Sequence, residues 1–147
     1  MSTRKAELED YKMENCIFCK LANGVFPTAT IYEDEKFRVI LDLGPASKGH
    51  ALILPKEHYA DIYEIPEDLA GEAYKLAAKL AKKMTAALGC DGFNIVQNNK
   101  ECAGQTVFHF HMHLIPRYKD DQVGLGWKPG TLTEEDKLEI LEKMKEN

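Results

Sequence analysis

Three histidines alternate with apolar residues in the run Phe108-His109-Phe110-His111-Met112-His113-Leu114. Along an extended strand successive side chains point to opposite faces, so the three imidazoles share one face while Phe110, Met112 and Leu114 offer the other to a core. Imidazoles titrate near neutrality and would repel one another if all were protonated. A row of this kind therefore serves metal binding or proton and nucleophilic chemistry. A second reactive pair is Cys16-Ile17-Phe18-Cys19. Two thiols at this spacing are half of a tetrahedral zinc site, a redox pair, or two inert thiols. Cys90 and Cys102 stand alone, and no catalysis is expected of them.

The rest of the composition narrows what such groups could act on. At 147 residues and 44% hydrophobic content the chain fits one domain with its own core. A net charge of -5 lacks the basic surplus that neutralises a phosphate backbone, so long nucleic acid is excluded as the expected partner. No apolar run is long enough to span a bilayer, and the start, Met1-Ser2-Thr3-Arg4-Lys5-Ala6-Glu7, has no signal-peptide core, which predicts a cytoplasmic protein. Four irregularly spaced cysteines make no disulfide framework.

The elements that must hold the histidines follow from pattern. Residues 1–14 read as a polar arm or a short peripheral helix. Thr30-Ile31-Tyr32 and Phe37-Arg38-Val39-Ile40-Leu41, separated by an acidic turn, predict a hairpin, and Ala51-Leu52-Ile53-Leu54 a third strand ended by Pro55. Leu69, Ala73, Leu76, Leu80, Met84 and Leu88 recur at three- and four-residue steps, predicting one amphipathic helix from Pro66 to Leu88 closed by Gly89. Phe93–Gln97 reads as strand four, Asn98–Gly104 as a polar loop and Val107–Ile115 as strand five. A last helix runs from Glu134 to Lys145 with Thr133 as its N-cap. Strands in sequence, with few helices between them, predict an α+β class with an antiparallel sheet.

The run from Gly104 to Ile115 closely resembles the signature of the histidine triad proteins. The match extends in order through Ile17-Phe18-Cys19-Lys20, Phe26-Pro27, Leu41-Asp42, Lys48-Gly49-His50, Pro55-Lys56 and Asn98, and covers residues 16–117. The chain looks most like the small bacterial-type members and the nucleoside phosphoramidases. The resemblance implies a five-stranded antiparallel sheet with two helices, an arm at 1–14, and a domain at 15–147 with its core at 16–117 and a tail and helix at 118–147. It also implies a homodimer, a small purine nucleotide as substrate and no organic cofactor.

By that resemblance His111 attacks the α-phosphorus and forms a nucleotidyl-histidine that water hydrolyses, which divides one difficult displacement into two easier ones. His113 would hold a phosphate oxygen or assist the leaving group, and His50 lies near the site in either a catalytic or a structural role. Gly104, Gln105 and Thr106 map onto the phosphate-binding stretch, Asn98 onto a ribose- and phosphate-binding position, and Asp42 onto the ribose site. Ile17, Phe18, Leu21, Phe26 and Leu43 match positions that sandwich the base. Some members bind zinc through residues matching Cys16, Cys19, His58 and His109, so a structural zinc is expected there. Beyond Arg117 the resemblance fades, and Trp127 has no assigned role. Two rival readings are a hydrolase with a catalytic zinc on His109, His111 and His113, which one flat strand would hold in a cramped tripod, and a non-enzymatic nucleotide-binding protein. A diadenosine polyphosphate hydrolase is the alternative within the family.

Overall fold

The computed structural model describes residues 2–145 of the chain. Met1, Glu146 and Asn147, which belong to the expected arm and tail, lie outside the described residues. Five strands form one antiparallel sheet: β1 (Thr30–Glu33), β2 (Phe37–Leu41), β3 (Ala51–Pro55), β4 (Gly92–Val96) and β5 (Met112–Arg117), in spatial order β1-β2-β3-β5-β4. Among the described residues four α-helices accompany it: α1 (Ser2–Asn15), α2 (Ile17–Ala22), α3 (Glu67–Leu88) and α4 (Glu134–Lys145). The class is α+β, as expected, with two helices more than the resemblance implies. Among the described residues no helix is long and apolar enough to cross a membrane.

The sheet's two faces have different cover. Val39, Ala51, Ile53, Met112 and Leu114 point to one face and pack with Phe110 against the apolar stripe Ala73, Leu76, Ala77, Leu80 and Met84 of α3. Ile40, Leu52 and Leu54 point to the other face, where Phe18, Leu21 and Ala22 of the short α2 cover part of it. β5 thus has α3 behind it and open ground in front. His113 lies opposite Leu52 in the ladder and so projects to the open side. Gly89 closes α3 in the left-handed conformation, φ 66°, its N–H donating to the Thr85 carbonyl. At α4 the Thr133 hydroxyl accepts from Asp136 N–H at 3.1 Å, the cap expected there.

Of the two forms expected for residues 1–14 α1 takes the helical one, running through Asn15. One departure concerns an element beside the site. Strand five begins at Met112, not Val107. Its pairing with β3 stops at Met112↔Ile53, and continuing it would bring the chain toward Pro55, which has no N–H to give. The segment from Val107 to His111 leaves the ladder instead, with Phe110 N–H donating to the Tyr59 carbonyl at 2.6 Å. Of the three histidines only His113 sits in the sheet. The turn before β3 is set by Gly49 at φ 93°, where an added Cβ would lie 2.5 Å from Leu88 Cδ1 and 3.3 Å from Pro116 Cγ.

Candidate active site and metal pocket

The two cysteines are placed by a helix start. Cys16 is the N-cap of α2, its Sγ accepting from Cys19 N–H at 3.3 Å. His58 enters from the loop after β3 and His109 from the bend before β5. Cys16 Sγ is 3.4 Å from His109 Nδ1, Cys19 Sγ is 3.3 Å from His58 Nδ1 and 3.5 Å from His109 Nδ1. All four ligand atoms lie within 4.8 Å of one another. A tetrahedral ion with ligands at about 2.0–2.3 Å requires separations of this size. The tautomer also fits. His109 Nε2 is 2.8 Å from the Pro55 carbonyl, which can only accept, so the proton is on Nε2 and the Nδ1 lone pair faces the sulfurs.

Burial sets the charge in this pocket. It pushes His109 down to about 4, helped by the neighbouring imidazoles, and pushes the Cys19 thiol up to about 12, helped by Cys16. His58 is also lowered, first by burial and then by Lys12. Two neutral imidazoles and two thiols converge on one point, a donor set that a bound dication would complete by drawing off the thiol protons.

His111 and His113 lie on the other side of His109. His111 is buried, with Phe18 edge-on at 4.8 Å between ring centroids. Its Nδ1 is 2.7 Å from the His109 carbonyl, so Nδ1 carries the proton and Nε2 keeps a free lone pair. Burial lowers the pKa of His111, which favours the neutral ring. His113 follows at 5.0 Å between centroids, and burial with His111 and His50 nearby pushes it down to about 4. His50 Nε2 lies 2.9 Å from His113 Nδ1 and 3.6 Å from Asp42 Oδ2. The other Asp42 oxygen accepts from Gly44 N–H at 2.8 Å, so the carboxylate is partly spent on its turn.

The polar loop departs from expectation at Gln105. This side chain is 2% exposed and faces inward. Its Nε2 donates to the Ala60 and Val107 carbonyls at 2.6 and 3.1 Å, and its Oε1 accepts from Lys100 N–H at 2.8 Å. Gln105 therefore braces the loop, and the expected amide contact to phosphate is corrected on that ground. Asn98 is half-buried beside Gly104, whose φ of 94° disfavours any side chain although a Cβ there would meet Asn98 Nδ2 at an ordinary 3.5 Å, and Thr106 is exposed. Of the apolar residues matched to the base site, Phe18 and Leu21 pack on the sheet, while Ile17, Phe26 and Leu43 are exposed, Leu43 to 96%. Trp127 is exposed as well.

Several positioning groups have no mark in the sequence. Lys100 sits at φ 75° and ψ 157°, a region almost restricted to glycine. Its Nζ pairs at 2.8 Å with Asp61, a buried carboxylate, and Asn99 Oδ1 accepts from Ile62 N–H at 2.7 Å. These bonds join the loop of Asn98 and Gly104 to the segment after His58. The polar run Asn98-Asn99-Lys100 signals a turn, but nothing in it signals a partner at residue 61. The three-histidine metal tripod does not form, because His109 Nδ1 turns to the sulfurs and His111 Nδ1 to a backbone carbonyl. Volume does not mark the site either: a cavity of about 680 Å³ lies beneath α1, lined by Lys5, Lys12, Lys36 and Tyr59 among others, and excludes His111 and His113.

The chain is similar to known proteins. The HIT domain profile matches residues 23–120. The adenosine 5′-monophosphoramidase HNT1 of Saccharomyces cerevisiae is 41% identical over 130 residues, 87% of this chain and 78% of that protein. A solved protein of Streptococcus mutans superposes with a TM-score of 0.86 at 36% identity, covering 91% of this chain and 85% of that one. A zinc-bound histidine triad family protein of Mycobacterium smegmatis gives a TM-score of 0.72 at 36% identity, covering 80% and 85%. With two thirds of its length inside the profile, this chain belongs to the HIT domain family.

Proposed function

We propose that the protein hydrolyses purine nucleotide derivatives at the α-phosphate, a nucleoside phosphoramidate or related AMP conjugate, through a nucleotidyl-histidine on His111. The observation that carries this reading is the bond from His111 Nδ1–H to the His109 carbonyl, which leaves the Nε2 lone pair free on a neutral ring. In the first step that lone pair forms the nitrogen–phosphorus bond, and the amine departs with the electrons of its own bond to phosphorus and a proton taken up from solvent. In the second, water supplies an oxygen to phosphorus, loses a proton to solvent, and the nitrogen–phosphorus bond returns its pair to Nε2. His113 meets a phosphate oxygen or the leaving group. His50 supports it, Asp42 and Asn98 take the ribose, Gly104 and Thr106 line the phosphate, and Ile17, Phe18, Leu21, Phe26 and Leu43 flank the base. Exposed apolar side chains beside a catalytic row suit a flat heterocycle.

Cys16, Cys19, His58 and His109 hold a structural zinc in this reading, closed to substrate and pinning α2 to the segment that carries His111. The protein works as a cytoplasmic homodimer. The amine of an adenosine phosphoramidate is the leaving group favoured by likeness to the yeast enzyme.

Incubation with adenosine 5′-phosphoramidate tests the reading. The wild-type protein should release AMP and yield a phosphorus–nitrogen adduct visible by mass spectrometry, and His111→Ala should do neither. Equal turnover in both proteins, or AMP binding without any turnover, would overturn it.

A further inference from the structure

The imidazole of His50 faces two partners whose chemistry decides where its proton sits. The N–H of Ala46 donates to His50 Nδ1 at 2.9 Å. A backbone amide has no other role to play, so His50 Nδ1 is an acceptor and bears no hydrogen. The ring's one proton is on Nε2. That atom is 2.9 Å from His113 Nδ1, which must then accept, and the proton of His113 is left on Nε2. Both neighbouring groups of this chain, Ala46 N–H and Asp42, favour the same state: the amide blocks a proton at Nδ1, and the carboxylate 3.6 Å away attracts the one at Nε2.

We infer that His50 is a positioning residue which, through the Ala46 N–H, holds His113 as its Nε2–H tautomer and so presents substrate with a hydrogen-bond donor. The inference rests on the proposed hydrolysis at phosphate and adds to it the role of His113. With its Nδ1 occupied, His113 has no free lone pair with which to act as a base, and it meets the α-phosphate oxygens as a neutral donor. His111 has the opposite tautomer, with its proton on Nδ1 and its lone pair on Nε2. Two adjacent rings thus show substrate one lone pair and one N–H, a nucleophile beside a donor for the charge that develops on oxygen.

The same geometry disfavours a cation among Asp42, His50 and His113, although their ligand atoms lie within 4.8 Å of one another. His50 would meet such an ion through Nε2, the atom that carries its proton, and losing that proton would leave an imidazolate.

Long-range proton–nitrogen correlation spectra of uniformly ¹⁵N-labelled protein read each ring's tautomer directly. Wild-type His113 should appear as the Nε2–H form with and without AMP. His50→Leu should mix the two His113 tautomers and lower kcat on adenosine 5′-phosphoramidate roughly tenfold, the scale of one lost hydrogen bond. His50→Gln, whose amide can donate to the same Nδ1, should restore most of both. An Nδ1–H form of His113 in the wild-type protein would overturn the inference without any variant having to fold. So would a His50→Leu protein with unchanged His113 signals. If no substrate turns over, the hydrolase reading fails and the tautomer result still decides the role of His50.

Discussion

The cluster of Cys16, Cys19, His58 and His109 and the pair His111 and His113 both use imidazoles, and what separates His109 from His111 is which ring nitrogen meets a backbone group. His109 gives its Nε2–H to Pro55 and turns Nδ1 to two sulfurs, whereas His111, two residues on, gives its Nδ1–H to the His109 carbonyl and keeps Nε2 free. Both rings are buried and pushed toward the neutral form. A histidine's duty here is assigned by a carbonyl oxygen, and neighbouring positions acquire different chemistry without any change of residue type.

The comparison breaks most sharply under exchange of the two rings' fates. His109→Ala should lose bound metal and lower the melting temperature by on the order of 10 °C, as expected when a ligand that binds only the folded state is lost. His111→Ala should keep metal and melting temperature, measured by atomic absorption and calorimetry, while turnover falls by on the order of a thousandfold or more. If His109→Ala kept its metal, or His111→Ala lost it, the division into two sites would be wrong.

Acid sharpens the same division. An unfolded imidazole titrates near its ordinary value of about 6.5, while His113 in the fold is held at about 4. Between those values the unfolded chain binds more protons, so stability is fully present above pH 6.5 and is lost as the pH falls toward 4. On the proposed mechanism turnover should stay level from pH 8 to below 6.5, because the lowered pKa of His111 keeps its ring neutral there. Denaturant titrations and kcat/KM profiles on one buffer series check both. A rate that already fell at pH 7 would contradict the environment described for His111.

The mildest test lies in the segment joining the two clusters. Lys100→Met keeps the strained backbone at φ 75° and removes the partner of Asp61, whereas Lys100→Gly removes both the partner and the strain. In urea titrations Lys100→Met should be less stable than Lys100→Gly by about 1–3 kcal/mol, the usual cost of that backbone region for a residue with a side chain. Equal stabilities would mean that the loop relaxes without the ion pair.

Much of this was legible in the residues. The apolar spacing of α3, the Gly89 stop, the hairpin and the Thr133 cap are local devices, each readable within one or two turns. The alternation of His109, His111 and His113 put their imidazoles on one face, and the resemblance named the four residues Cys16, Cys19, His58 and His109 that the fold gathers into one cluster. What escaped was long-range or backbone-borne. The end of the β3–β5 ladder depends on Pro55 standing opposite, the inward turn of Gln105 depends on the Ala60 carbonyl, and the His50 tautomer depends on the Ala46 amide. Backbone partners have no sequence signature, since every residue but proline offers the same N–H and carbonyl.

Gly49 carries the last consequence. At φ 93°, with Leu88 Cδ1 occupying the space where a Cβ would go, it admits no side chain without moving the end of α3. His50 is its immediate neighbour, so the bearing of one imidazole toward His113 is inherited from the snugness of a helix end on the opposite face of the sheet. A methyl group added at a residue with nothing to ionise, donate or coordinate would be read out as slower catalysis, and a survey confined to reactive side chains would never have looked there.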